Sequence, residues 1–407
     1  MFGTSNLVPS LFLVPRILLR DPRAFQSARF YEKADIHQEF VNVKDSHGQK
    51  LSALLAIALS VLGGSLIVLH ATAVPMPSPN QAPLVALGKQ LFFDVRLSAD
   101  GKTSCASCHQ PEHAYTDNQP VARGVFGLTG TRNTPSLLNV PEAGALFWDG
   151  RREKLEEAVL DPLAHPRELA FSDDAKLAAL MQSPAYRKPM HDAFGDEPDT
   201  SGWRARVGLA LAAYVRNLPH PASAFDQYRA THDPSAMSHE AREGLRIFGG
   251  KAGCASCHQI EGSSPSFSDH RFHATGTGLQ KVASHLPTLA IQAAAIATDG
   301  GTVGREIASH GDLAATGRFM VTHQPADVGL FRTPSLRYVA QTAPYMHDGS
   351  VATLADAVDQ EVYWRGLSSG HPVSLTVSER RALIAFLQAL SPESPTIRPT
   401  SAPRTSP

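Results

Sequence analysis

Cysteine is scarce in this chain: there are four in 407 residues, and all of them fall in two copies of one string, Cys-Ala-Ser-Cys-His, at 105–109 and 254–258. None is left over for a disulfide, which excludes a small scaffold held by cross-links. Charge of either sign is not in excess either, since 37 Lys and Arg face 38 Asp and Glu for a net −1. Nucleic acid and an anionic membrane surface are therefore not expected as partners. No stretch alternates apolar and polar residues for long enough to build a substantial sheet.

One long apolar run is present, LSALLAIALSVLGGSLIVLH at 51–70, followed by Ala71-Thr72-Ala73 and by Pro75, Pro77 and Pro79. It has no polar face, so a buried soluble helix fits poorly. The run reads as a signal-peptide core with a cleavage site, or as an uncleaved anchor, and we expect export to the periplasm. Fifty residues precede it, long for the leader of a signal peptide, which makes a mis-assigned start one reading.

The remainder repeats itself. Gly88-Lys-Gln-Leu-Phe-Phe leads to the first CASCHQ, and Gly244-Leu-Arg-Ile-Phe leads to the second. TPSLLNV (134–140) stands eight residues before Asp149-Gly150, and TPSLRYV (333–339) eight before Asp348-Gly349. Two landmarks in the same order point to an internal duplication. Thr134 follows His109 by 25 residues, whereas Thr333 follows His258 by 75. The extra residues, rich in Gly, Ala and His around 270–325, read as a loop insertion. Helical spacing recurs at Leu84, Leu87 and Leu91, at Val207, Leu211, Tyr214, Val215 and Leu218, and at Leu383, Phe386, Leu387 and Leu390. Thr376 and Glu379 are placed as a capping box for the last of these helices.

A Cys-x-x-Cys-His run suits covalent attachment of haem. Two thiols three residues apart reach the two vinyl groups, and the adjacent histidine supplies an axial iron ligand. Cys105, Cys108 and His109 would hold one haem, and Cys254, Cys257 and His258 a second. Zinc is the competing reading of paired CxxC motifs. The pairs here are about 145 residues apart, far beyond the ~15–20 of a zinc ribbon, and each carries its own histidine.

From about residue 84 to 390 the sequence resembles the bacterial di-haem cytochrome c peroxidases and the related MauG enzymes. The resemblance rests on LGKQLFFDVRLS, CASCHQPEHAYTD, RNTPSLLNV, FWDGR, LEEAVLDPL, FRTPSLRYVAQTAPYMHDGS and LIAFLQAL. It implies a mainly α fold, two cytochrome c-like haem domains in tandem with long loops and little sheet. Accordingly we expect an extension at 1–50, a signal peptide or anchor with linker at 51–83, a peroxidatic haem domain at 84–225, an electron-relay haem domain at 226–390, and a disordered tail at 391–407. The resemblance also implies an oxidoreductase that reduces hydrogen peroxide with electrons from a small cytochrome c or cupredoxin. Its alternative is a MauG-like enzyme oxidising residues of a partner protein, and a plain electron carrier comes third. The oligomeric state is open, a homodimer included.

Residue roles follow from the same resemblance. Glu168, in His165-Pro-Arg-Glu-Leu, falls at the distal acid–base glutamate, and Trp148 at the tryptophan between the haems. A calcium ion between the halves would take the Asn133 side chain and the carbonyls of Thr342 and Pro344. Three departures stand out. Ala158 occupies the position of a distal glutamine. The segment VARGVFG (121–127) has no histidine where many relatives carry one that closes the first haem, so that haem should be open; His113 reads as a loop or haem-edge residue. At the second haem, the position of the usual methionine or tyrosine, fourteen after His347, is Glu361, with Tyr363 two further on. We expect Tyr363 as the distal ligand of the second iron, since phenolate is a known haem ligand, with Glu361, Met320, a histidine or water as alternatives. Helical geometry argues against it, because Leu354, Val358 and Glu361 share a face that Tyr363 does not.

Overall fold

The computed structural model describes residues 81–140, 144–195 and 202–392. The N-terminal extension, the apolar run at 51–70 and nearly all of the expected tail lie outside these residues. No helix among the described residues is long and apolar enough to cross a membrane. Six helices organise the fold: α1 (Gln81–Phe92), α2 (Trp203–Arg216), α3 (His239–Gly249), α4 (Gly300–Ser309), α5 (Leu354–Ser369) and α6 (Val377–Gln388). Strand is confined to β1 (Phe272–Ala274) and β2 (Leu330–Arg332), antiparallel with Phe272 opposite Arg332.

The duplication is visible in how the helices cross. Leu84, Leu87 and Leu91 line one face of α1 and are buried against α2, with Val207, Leu211 and Tyr214 opposing them. In the second half α3 packs on α6, burying Ile247 and Phe248 against Leu383 and Phe386. Both crossings turn on a glycine. A Cβ on Gly88 would overlap the Ala210 carbonyl oxygen, and a Cβ on Gly244 would overlap that of Ala382. The two glycines that open the repeated segments are thus the points of closest helix approach. The expected cap of α6 is in place: Glu379 N donates to Thr376 Oγ1 (3.2 Å) and Thr376 N to the Glu379 carboxylate (2.8 Å).

The first-half core draws on residues 84–218, together with Tyr338, and the second on residues 225–390. A third core forms within the insertion, and here the expectation of a loop insertion is corrected. Residues 279–322 form a run of helices around Val282, Leu289, Val303, Ile307, Leu313 and Met320. Gly and Ala disguise the helical period, yet Val303 and Ile307 sit four apart on α4, whose first turn is capped by Asp299 accepting from Thr302 N.

Gly88→Ala and Gly244→Ala should each destabilise the protein by about 1–3 kcal/mol, the usual cost of overpacking. Thermal unfolding of the haem-loaded variants reads this as a lowered Tm for both. Alanine tolerated at either position would contradict the close crossing.

Candidate functional site

A cavity of about 620 Å³ has both CxxCH strings on its wall. Each histidine is seated the same way. His109 Nδ1 lies 3.0 Å from the Tyr115 carbonyl oxygen, and His258 Nδ1 lies 2.8 Å from that of Phe267. A carbonyl only accepts, so Nδ1 carries the proton in each ring and Nε2 keeps its lone pair for a metal. Burial holds both rings below the ordinary imidazole range, in the neutral form that ligation needs. The TPSL elements fix the accepting loops. Ser136 Oγ donates to Ala114 O (2.6 Å) and Ser335 Oγ to Ser266 O (2.7 Å), one residue before each acceptor. Thr134 donates to Asp117 (2.9 Å), and Thr333 pairs with Asp269, two residues after each acceptor. The sequence showed these motifs as landmarks; the structure gives them a task.

The donor set fits haem better than zinc. Among the described residues, Cys257, Asp269 and His273 place one donor atom each within 4.8 Å of one another, but no such trio surrounds Cys105 or Cys108. A site present in only one half cannot explain a motif present in both. A mainly apolar wall also carries Arg132, whose Nε and one terminal nitrogen are buried and unpartnered. Its other terminal nitrogen donates to Ala314 O (2.5 Å), and its guanidinium lies over the Phe331 ring. Burial draws Arg132 down to about 10, opposed by the charge of Asp149. Two free donors on a buried cation call for an anion, and the propionates of a haem are one. Sequence reading passed over Arg132, although its place beside Asn133-Thr-Pro-Ser was a signal.

In the first half, Glu168 lines the cavity together with Cys105, Cys108 and His109. Its side chain is 36% accessible, yet protein atoms enclose it closely enough that burial pushes the carboxyl up to about 7, against the pull of Arg151. No side chain makes a hydrogen bond to it among the described residues; His165 Nδ1, the nearest, is 3.8 Å away and accepts from Arg167 N instead. Ala158 lies on the same wall. Segment 121–127 is pinned in place: Val125 N donates to Glu168 O (2.8 Å), Gly124 N to Leu128 O (2.9 Å) and Phe126 N to Asp100 (3.1 Å). Gly124 packs so closely on Arg167 and Glu168 that a Cβ would collide with their backbone. His113 is elsewhere, in an open groove with Asn118.

The second-half insertion completes this site. Gly304, Ile307 and Ala308 of α4 line the cavity with Glu168 and Arg151. Thr131 Oγ1 donates to Ile307 O (2.6 Å), and Arg167 Nε to Ser309 Oγ (3.3 Å). Trp148 joins the halves too, its Nε1 donating to Asn133 O (3.0 Å) while its carbonyl accepts from Arg332 N (2.8 Å). Asn133, Thr342 and Pro344 all reach the wall.

Around Cys254, Cys257 and His258 the wall includes His270, His273, Met346, His347, Glu361 and Trp364. Tyr363 is not on it. That side chain is 60% exposed and stands edge-on to Trp364, because α5 runs unbroken through it and carries it round to the far face. The sequence-based choice of Tyr363 over Glu361 is therefore at odds with where the fold places the two. Met320 is buried within the insertion core, away from the wall.

Comparison with known proteins agrees with this geometry. Residues 82–234 match the family model described as di-haem cytochrome c peroxidase. The cytochrome-c peroxidase IdrP1 of Denitromonas iodatirespirans is 37% identical over 334 residues, covering 80% of this chain and 85% of that one. The methylamine utilization protein MauG of Methylorubrum extorquens is 34% identical over 329 residues, 78% of this chain and 82% of that one. Among solved structures, a MauG-like protein associated with microbial copper homeostasis superposes with a TM-score of 0.62 at 30% identity, over 82% of this chain and 97% of that one.

Replacing Ser136 or Ser335 by Ala should loosen the loop that seats the histidine of its own half. Each loss should cost about 1 kcal/mol of stability, typical of one hydrogen bond. It should also raise the midpoint potential of that half's haem, because a weaker Nδ1 hydrogen bond makes the ligand less basic. A redox titration resolving the two haems checks this; equal shifts in both, or in neither, would count against the assigned role.

Proposed function

The chain belongs to the di-haem cytochrome c peroxidase family, and we propose that it reduces hydrogen peroxide to water with electrons taken singly from a small redox protein. The observation that carries this is Glu168, a carboxyl without a hydrogen-bonding side-chain partner on the wall shared with Cys105, Cys108 and His109. When bound, the two c-type haems would supply the redox-active iron, one held by Cys105, Cys108 and His109 and the other by Cys254, Cys257 and His258.

The protein's own part is proton handling and positioning. Reducing one peroxide consumes two electrons and two protons and releases two waters. Glu168 takes the proton from one peroxide oxygen and returns it to the other, so that the departing oxygen leaves as water rather than hydroxide. A carboxyl held near 7 does both at neutral pH, because each protonation state is populated. Arg151 beside it favours the charged form, and Gly304, Ile307 and Ala308 line the same wall. Ala158 on the wall offers no side-chain hydrogen bond to share the work. Trp148, hydrogen-bonded into both halves, is well placed as the relay between them.

Calcium is the proposed structural ion. Asn133 turns its Nδ2 toward Gln119 O (2.9 Å), and no backbone donor among the described residues reaches the carbonyls of Thr342 and Pro344. Export to the periplasm is supported by the apolar run at 51–70. One observation favours a second reading, MauG-like oxidation of a partner protein: the histidine-free, pinned segment 121–127 leaves the first site ungated.

Steady-state peroxide consumption with a reduced small cytochrome c or cupredoxin tests the first reading. Glu168→Gln should lower the rate with peroxide by about 10²–10⁴, the usual worth of a positioned acid–base group. Both haems should stay attached. Carboxylate is the form that accepts the first proton, so the wild-type rate should rise with pH through about 7 and level off. That inflection should vanish in the variant. Full activity in Glu168→Gln would contradict the assignment.

A further inference from the structure

Two carboxylates line the cavity, Glu168 in the first half and Glu361 in the second, and the reaction described above uses only the first. Glu361 belongs to a stripe of α5 formed by Leu354, Ala357, Val358, Glu361, Trp364 and Arg365, all on the wall. Those positions recur at three- and four-residue steps, so one helix face carries them. Tyr363, nine residues after Leu354, projects from the opposite side.

Glu361 makes no hydrogen bond or ion pair among the described residues. Arg365, one turn on, is the nearest cation in its field, and the field of Glu361 in turn reaches the Cys254 thiol. The Glu361 side chain is accessible, and a carboxylate left without a partner on a mainly apolar wall is available to a cation or metal that takes its charge.

Other candidate donors also line the wall. His270 and His273 belong to the segment that seats His258 through Phe267, and His273 Nε2 is already 2.8 Å from Asp269. His347 is stacked flat on Phe331, with ring centroids 3.7 Å apart. Met346 and His347, whose Nδ1 is buried and unpartnered, compete, and both are neutral donors that leave the charge of Glu361 unmatched.

We infer that the Glu361 carboxylate is the second protein ligand, beside His258, of the iron in the haem attached at Cys254 and Cys257. This rests on the reading that the chain carries two c-type haems. It departs from the sequence expectation of phenolate and from the thioether of ordinary relay haems. An anionic oxygen donor stabilises ferric iron more than a neutral sulfur does, so this haem should be harder to reduce than one ligated by histidine and methionine.

The test uses the haem-loaded protein. Haem content is counted first, and fewer than two haems per wild-type chain would defeat the premise itself. Ferric electron paramagnetic resonance and near-infrared spectra are then recorded for wild type, E361Q, E361A, E361M, Y363F and M346L. The expected result is a changed signature for one haem only in the three Glu361 variants. E361M should gain the sulfur-to-iron band of a His/Met haem and a raised potential, while Y363F and M346L should match wild type. Should E361A not accumulate, isosteric E361Q carries the same test. Glu361 variants with two haems and a wild-type second-haem spectrum would overturn the inference, as would a change seen in Y363F or M346L instead.

Discussion

One hydrogen bond, made twice, organises this molecule: a buried imidazole Nδ1 donates to a backbone carbonyl, at His109 to Tyr115 and at His258 to Phe267. It fixes the tautomer and turns Nε2 of each ring into a metal ligand. The serine and threonine of each TPSL element bind the accepting loop on either side of the acceptor. The downstream Asp-Gly of each half is flanked by a bridge, Leu146 with Arg152 and Tyr345 with Val351. The repeat in the sequence is thus a repeat of one seating device, and the glycine crossings of α1 on α2 and α3 on α6 are its scaffold.

The halves then diverge where their chemistry must. The first half presents Glu168 under α4, a helix lent by the second half, which shapes a small chamber around a proton-handling carboxyl. In the second half, α5 brings Glu361 to the wall. Desolvation pushes both carboxyls up to about 7, although each side chain stays partly accessible. In the first half that desolvation tunes an acid–base group, and in the second the proposed iron–oxygen bond offsets it. Arg132, between these regions with two unpartnered donors, supplies the positive charge that an otherwise apolar cavity would lack.

Much of this was legible in the sequence, and for physical reasons. Cys-x-x-Cys-His names its ligand chemistry locally, and leucines at helical spacing named α1, α2 and α6. The capping box at Thr376 and Glu379 also forms as its residues suggest. Counting along α5 already set Tyr363 and Glu361 on different faces; the preference for a phenol overrode that geometry, and the unbroken helix restores it. Other features were not legible. The reach of α4 across to Thr131 and Arg167 spans more than a hundred residues and leaves no local pattern. Its glycines and alanines read as loop, although they are what allows the helix to lie close against Arg151. Arg132 stood in plain view within a recognised motif, but only its two buried, unpartnered nitrogens reveal its role.

The central claim is that the first site is open in the resting protein, because segment 121–127 carries no histidine and is hydrogen-bonded to the backbone of Glu168. The most direct measurement is to add one equivalent of hydrogen peroxide to the purified, fully ferric protein and follow the absorption of both haems. An immediate spectral change without prior reduction is the result predicted here. No reaction until one haem has been reduced would show that the site is closed at rest, and would contradict the account.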